Sequence, residues 1–394
     1  MSNKNFIFSS VKYDPILCFS AFCLVLIGII MQHYTNANAG DSYFFSTAVI
    51  RQCSLVLFAS IFFLAASRFN YQILRYFHWL TYLFGIGCLI LVMAIGSNEF
   101  GAQRWILLGS YSLQPSELTK IAIFVSISTL AAINIPNIKN FIYCSFLVFF
   151  PTALILIQPD LGTVIVVITT WLLFIFVWPI PWRGLLTTFA VMLACLPIIF
   201  AVLIPAYQRE RLAVFLDPER DPLGSGFTLR QVELAMSSGG LFGHGLEKTE
   251  SVLQTLSTRG SDFVFAAIAE QFGLIAALLV IFFITIIFWR GISIAQNSRD
   301  IHGKLLATSL TGLLVIPALI HIAVNLRLFP ATGIPLTFIS SGGTALLASS
   351  LCIGLLCSIS TLQKGGPSED DRYPNTFALA QSARQIAKEK KLRG

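Results

Sequence analysis

The chain is built from long apolar runs separated by short polar stretches, and this pattern recurs from one end to the other. Each run approaches the roughly 20 residues that a helix needs to cross the hydrocarbon core of a bilayer. Ten such spans are predicted, at 14–33, 47–67, 76–96, 117–134, 140–158, 162–180, 184–206, 263–289, 305–325 and 337–361. The expected fold is therefore an all-α polytopic membrane protein with ten transmembrane helices. One large loop, about residues 207–262, lies between helices 7 and 8.

Ten spans put both termini on one side. The between-span segments on that side carry Arg68, Arg75, Lys139, Arg183, Arg290, Arg299 and Lys304, whereas the short opposite segments carry only Arg104 and Arg327. By the positive-inside rule both termini are expected in the cytoplasm and the 207–262 loop outside. Residues 1–362 then form one transmembrane domain, and 363–394, rich in Lys and Arg and containing Pro367 and Pro374, a flexible basic cytoplasmic tail beside anionic headgroups. Ala37-Asn38-Ala39 after the first span imitates a signal-peptidase site, but the apolar stretch before it is long for a signal peptide, and we expect it to stay as a span.

Composition agrees with the pattern: 56% of the residues are hydrophobic and 11% charged, against about 25% charged in soluble domains. The net charge of +7 comes largely from the cytoplasmic loops and the tail, so no nucleic-acid partner is implied. All eight cysteines fall inside the apolar runs without a CxxC pair, and the five histidines show no ligand spacing. Packing residues are expected there, and no histidine-built metal site.

Ionisable residues in or beside a span are costly, so each needs a reason. Glu117 and Lys120, in Gln114-Pro115-Ser116-Glu117-Leu118-Thr119-Lys120, share a helix face at i,i+3 and can pair, either to fix packing or to serve a site. Arg104, beside Trp105 in an outer loop, reads as freer to bind an anion. Asp160, in the tight Gln158-Pro159-Asp160-Leu161-Gly162-Thr163 turn, is either a helix cap or a site residue. In the long loop, Arg209 and Arg211 fit a phosphate or diphosphate, or else interfacial anchoring, and the glycines of Ser237-Ser238-Gly239-Gly240-Leu241-Phe242-Gly243 suggest tight turns near a ligand. Asp262 heads the eighth span, with Glu270 two turns further on. A carboxylate at that mouth, facing arginines, is a candidate general base. The last outer loop, from Leu328 to Pro335, leads to Ser340-Ser341-Gly342-Gly343 and reads as the wall of a cleft.

Taken together, GAQRW at 101–105, QPSELTK at 114–120, QPDLGT at 158–163, FLDPERDPLGSG at 215–226, SDFVFAAIAE at 261–270 and TGIPLTFISSGG at 332–343 resemble, in order, the SEDS family of bacterial cell-wall proteins that contains RodA, FtsW and SpoVE. The resemblance implies a glycosyltransferase of the bacterial inner membrane that polymerises lipid II into peptidoglycan strands during elongation or division. It also implies a class B penicillin-binding protein as the crosslinking partner, within an elongation or division complex. By position Asp262 matches the family's essential aspartate, and the resemblance makes it the base of an inverting transfer. Arg104, Lys120, Arg209 and Arg211 are then the candidates to hold the diphosphate, with a divalent cation, Mg or Mn, as a further one. Glu117, Asp160, Glu270 and Ser340 are supporting residues.

The sequence departs from the family's habit at Leu256-Ser257-Thr258-Arg259-Gly260-Ser261-Asp262, at the two Ser-Ser-Gly-Gly stretches, and at His321, where an Asn is usual. These departures leave open a protein of reduced activity. Separately, a flippase for lipid II would need polar residues along a path through the membrane, whereas the charges here beyond Lys120 and Glu270 gather near the outer surface and favour the transferase. An idle scaffold would make Asp262 dispensable. GIPL at 333–336 leans towards RodA and the basic tail towards FtsW.

Overall fold

The computed structural model describes residues 13–37, 47–99, 102–109, 111–134, 136–179, 206–245, 252–255 and 260–363, with isolated positions 184, 186, 187 and 190. The seventh predicted span, 184–206, lies almost wholly outside the described residues, as do the tail from 364 and the 256–259 departure. The helices are α1 (Pro15–Ala37), α2 (Thr47–Arg68), α3 (Leu74–Ile95), α4 (Pro115–Ile133), α5 (Ile138–Ile157), α6 (Leu161–Val177), α7 (Ala206–Leu216), α8 (Ser225–Ser238), α9 (Val264–Gln296), α10 (Ile301–Asn325) and α11 (Gly343–Gln363). Eight of them, α1–α5 and α9–α11, are long and apolar enough to cross a membrane, and α6 is a shorter apolar helix of 17 residues. Nine of the ten predicted spans thus have a helix among the described residues.

Local chemistry fixes several ends. Pro115 opens α4, where its missing N–H costs nothing. Asn137, Asp160 and Asp300 cap α5, α6 and α10 by accepting from backbone N–H groups three residues on. The most apolar section of α10 is 83% buried and that of α3 only 22%, so α10, with α4 and α11, forms the centre and α3 the periphery. Close approach needs small residues: a Cβ at Gly354 of α11 would come within 2.7 Å of the Ala66 Cβ and the Phe63 carbonyl on α2.

At one end of the bundle the start of α1 meets the end of α9 through an Asp14–Arg290 ion pair, and the start of α3 with the turn before it meets the start of α10, with Arg75 and the Tyr71 hydroxyl each 2.5 Å from Asp300. Two of the arginines counted for orientation therefore sit together at the same end, as the alternation of spans requires.

Three features at the opposite end differ from the expected picture. Residues 97–113, read as a plain loop, form a three-stranded antiparallel sheet: β1 (Ser97–Glu99), β2 (Ala102–Leu108) and β3 (Tyr111–Leu113). The 207–262 loop contains α7 and α8. Helix α9, at 33 residues, would run about 50 Å at 1.5 Å per residue, and it is broken at Gly273, where φ is 76°. The glycine-rich stretch after α8 fills that break. His244 and Gly245 donate to the Glu270 and Gln271 carbonyls at 3.2 and 2.9 Å, and Leu274 and Ile275 donate to the Gly240 and Leu241 carbonyls at 2.9 and 3.3 Å. Four of the backbone groups freed by the break thus find partners, which irregular backbone within a membrane bundle needs. The glycines expected to turn near a ligand are instead spent on packing: Cβ atoms at Gly239 and Gly243 would overlap the Ala269 and Gln271 carbonyls.

Gly273→Ala is accordingly expected to lower the melting temperature markedly. Its φ/ψ is essentially restricted to glycine, at a cost of about 1–3 kcal/mol for other residues, and the new Cβ would overlap the Leu241 carbonyl. Thermal unfolding in detergent, followed by intrinsic fluorescence, checks this; an unchanged melting temperature would mean that the break is not held as described.

Candidate functional site

Asp262 stands in a short turn immediately before α9, at the end of the bundle that carries the sheet, α7 and α8. The turn is held from four sides. Gln32 of α1 donates to the Gly260 carbonyl at 3.2 Å, Ser340 donates to the Ser261 carbonyl at 2.8 Å, and Ser341 donates to Gly260 at 3.4 Å. Asn325, at the end of α10, donates through Nδ2 to the Asp262 carbonyl at 3.3 Å while its Oδ1 accepts from the Ala266 N–H at 3.1 Å. Ser340 also accepts from the Leu336 N–H at 2.8 Å. Consequently the segment 337–342, predicted to be helical, stays irregular and α11 begins only at Gly343.

The Asp262 carboxyl is half-buried and borders a cavity of about 230 Å³ whose wall includes Arg211, Thr228, His321, Thr332 and Gly333. Burial disfavours the charged carboxylate and raises its pKa above the ordinary value. A hydrogen bond from Ser261 and the positive charges of Arg211 and Arg104 pull it partly back. A carboxyl poised this way is a stronger base than an exposed aspartate and still has cations nearby.

Arg209 and Arg211 are not brought together at the cavity. Two residues along α7 turn the side chain by about 200° at 3.6 residues per turn, and of the two only Arg211 lines the cavity. Arg211 Nη1 also donates at 3.3 Å to the carbonyl of Ala331, another residue lining the cavity. Arg104 is not the free anion binder expected from its loop position. It lies on β2, 3.5 Å from the Asp160 carboxylate. Asp160, buried, caps α6 and additionally accepts from Gln114 and from the Thr163 hydroxyl, each at 2.8 Å. Asp160 therefore caps a helix and also anchors Arg104, one of the two arginines whose charge reaches Asp262.

Lys120 and Glu117 are paired at 2.8 Å inside α4, both buried, as their i,i+3 spacing predicted. Neither borders the cavity. Glu270 is 1% exposed, and its Oε1 accepts from the Val252 N–H at 2.6 Å, tying the long loop to α9 away from the cavity wall. Asn325, Gln32 and Gln114 carry much of the geometry but drew no attention in the sequence as site residues, since polar residues at span ends are common. Among the described residues no group of three or more His, Cys, Asp or Glu side chains is gathered to hold a metal ion.

A sequence profile of the FtsW/RodA/SpoVE cell cycle proteins matches residues 15–365. The peptidoglycan glycosyltransferase MrdB of Escherichia coli (strain K12) is 36% identical over 292 residues, 73% of this chain and 79% of that protein. Stage V sporulation protein E of Bacillus subtilis (strain 168) is 32% identical over 366 residues, 88% of this chain and 96% of that protein. Among solved structures, a chain of a peptidoglycan synthase complex that coordinates polymerization and crosslinking superposes with a TM-score of 0.75 at 24% identity, covering 90% of this chain and 99% of that one. The rod shape determining protein RodA of Thermus thermophilus gives a TM-score of 0.67 at 22% identity, covering 91% and 99%.

Proposed function

Because the chain belongs to the FtsW/RodA/SpoVE family of cell cycle proteins, we propose that it is a multi-pass membrane peptidoglycan glycosyltransferase that polymerises lipid II, with Asp262 as the catalytic base. The observation that carries the assignment of the base is the half-buried Asp262 carboxylate at a cavity shared with Arg211. In the reaction the acceptor sugar hydroxyl attacks the anomeric carbon of a donor held as an α-linked undecaprenyl diphosphate. The new C–O bond forms as the bond to the diphosphate breaks, the electron pair leaves with the diphosphate, and the hydroxyl proton passes to Asp262. One displacement inverts α to β without a covalent enzyme intermediate.

Arg211 supplies positive charge where the diphosphate departs, and Arg104 adds to the field from its seat on Asp160. Lys120 does not line the cavity and supports the bundle through its buried pair with Glu117. The cavity is smaller than the roughly 300–1,000 Å³ of pockets that enclose whole drug-sized ligands, which suits the reacting sugar with the rest of a lipid-linked substrate lying outside. The asymmetry of basic residues supports an orientation with the Asp262 end of the bundle at the outer face of the bacterial cytoplasmic membrane, where the strand is built. The partner is a class B penicillin-binding protein that crosslinks the product, consistent with the synthase complex whose chain shares this fold.

The protein, co-purified with its penicillin-binding partner and given purified lipid II, is expected to produce long glycan strands. A preparation that moves fluorescent lipid II across liposome bilayers and forms no polymer would instead make it a flippase.

A further inference from the structure

One buried group at the cavity has no part in the reaction just described. His321 lies on α10 one turn before Asn325, is 1% exposed and belongs to the cavity wall. Its Nδ1 is 2.8 Å from the Ile334 carbonyl. A carbonyl oxygen only accepts, so Nδ1 carries the hydrogen, and in the neutral ring Nε2 is left with a bare lone pair. Among the described residues Nε2 has no hydrogen-bond partner, and neither has the hydroxyl of Thr332, another residue lining the cavity. Buried polar atoms are rarely left unmatched, and here two stand at a cavity that a substrate enters.

We propose that His321 is a substrate-binding residue: Nε2 accepts a hydrogen bond from a saccharide O–H or amide N–H of the substrate seated against Asp262. This rests on the glycosyltransferase reading and adds an orienting contact to it. Arg211 offers only donors and attracts the diphosphate. The His321 lone pair does the reverse: it takes a hydroxyl or amide hydrogen and repels phosphate oxygens, which have no hydrogen to give. The two residues line one cavity with opposite chemistry and so favour the diphosphate beside Arg211 and the sugar beside His321.

Two substitutions separate the contact from the scaffold. In His321→Asn the short amide can still donate to the Ile334 carbonyl, as Nδ1 does, while the acceptor at the Nε2 position disappears. In His321→Gln the longer side chain returns an acceptor carbonyl to that position. The KM for lipid II is expected to rise about five- to tenfold in His321→Asn, the loss of one hydrogen bond, with kcat changed less. His321→Gln should recover most of it. The substrate-induced rise in melting temperature should weaken in the same order, a readout that needs no turnover. Lipid II analogues distinguish the two donors: an N-methylated acetamido group or a deoxy sugar should weaken binding to wild type and not to His321→Asn, whichever carries the hydrogen.

A wild-type KM in His321→Asn, equal impairment in Gln and Asn, or analogues that bind wild type undiminished would each overturn the proposal. Should His321→Asn fail to fold, His321→Gln and the analogues on wild type still decide it. Polymerisation surviving in Asp262→Asn would overturn the base assignment instead. An inactive Asp262→Asn beside a normal His321→Asn would remove only the contact proposed here.

Discussion

Asp262→Asn is expected to reduce glycan polymerisation by roughly 10²–10⁴-fold while the purified protein melts at a higher temperature than wild type at neutral pH. The loss follows because the amide is nearly isosteric with the carboxyl but cannot take the acceptor's proton. The backbone contacts that hold the turn are untouched: Asn325 bonds the carbonyl of residue 262, not its side chain, and Ser340 bonds that of Ser261. The gain in stability follows from burial. A carboxyl whose pKa is higher in the folded protein than in the unfolded chain favours the fold when protonated, and that advantage is present below the unfolded pKa and lost as pH rises through the folded one. At neutral pH the ionised Asp262 is therefore a net cost that the neutral amide removes. Polymerisation of fluorescent lipid II on gels and a melting curve on the same sample measure both. Retained polymerisation would remove Asp262 from the base role, and a lower melting temperature would contradict the burial argument.

The parts of this architecture that the sequence predicts well are those whose cause is local. A run of about 20 apolar residues has few alternatives to a membrane span, so seven helices lie within four residues of their predicted limits, while α9 ends seven residues later and α11 starts six residues later than predicted. Glu117 and Lys120 pair because three residues on a helix is a fixed geometry, and Asp160 caps α6 because a short acceptor directly before an apolar helix satisfies its first N–H groups.

What stayed hidden depends on residues far apart in the chain. Nothing beside Arg104 announces Asp160, and a seven-residue strand flanked by two of three residues leaves little pattern to detect. Gly273 inside an apolar run reads as a tolerated glycine until residues 240–245 are seen to supply its missing hydrogen bonds. Arg209 and Arg211 look like a pair only while their segment is taken for a loop; helical geometry separates them. The limit is the same in each case: a hydrogen bond or ion pair across the bundle is determined by packing, and packing is not written in sequence spacing.

Arg211→Ala should lower kcat by roughly 10²–10³-fold with the melting temperature nearly unchanged, and it should also move the acid limb of the pH profile upward. The side chain is exposed, so its removal leaves little unsatisfied, whereas Arg104→Ala would strip the cation from the buried Asp160 network and cost stability as well. Arg211→Lys should restore part of the rate, since a point charge returns without the planar fork that grips a diphosphate. The shift in pH dependence has a definite sign. Arg211 and Arg104 both hold the Asp262 pKa down against burial, so deleting Arg211 lets it rise, and more of the base is protonated at a given mildly acidic pH. Binding the diphosphate in wild type does the same thing transiently, because its negative charge offsets the arginines beside the carboxyl. The acid limb of kcat, which reports the substrate complex, should therefore lie at higher pH than that of kcat/KM, which reports the free enzyme. In Arg211→Ala the kcat/KM limb should move up towards the kcat limb. Identical limbs for wild type and Arg211→Ala, with an unchanged rate, would mean that Arg211 lies outside the reacting site.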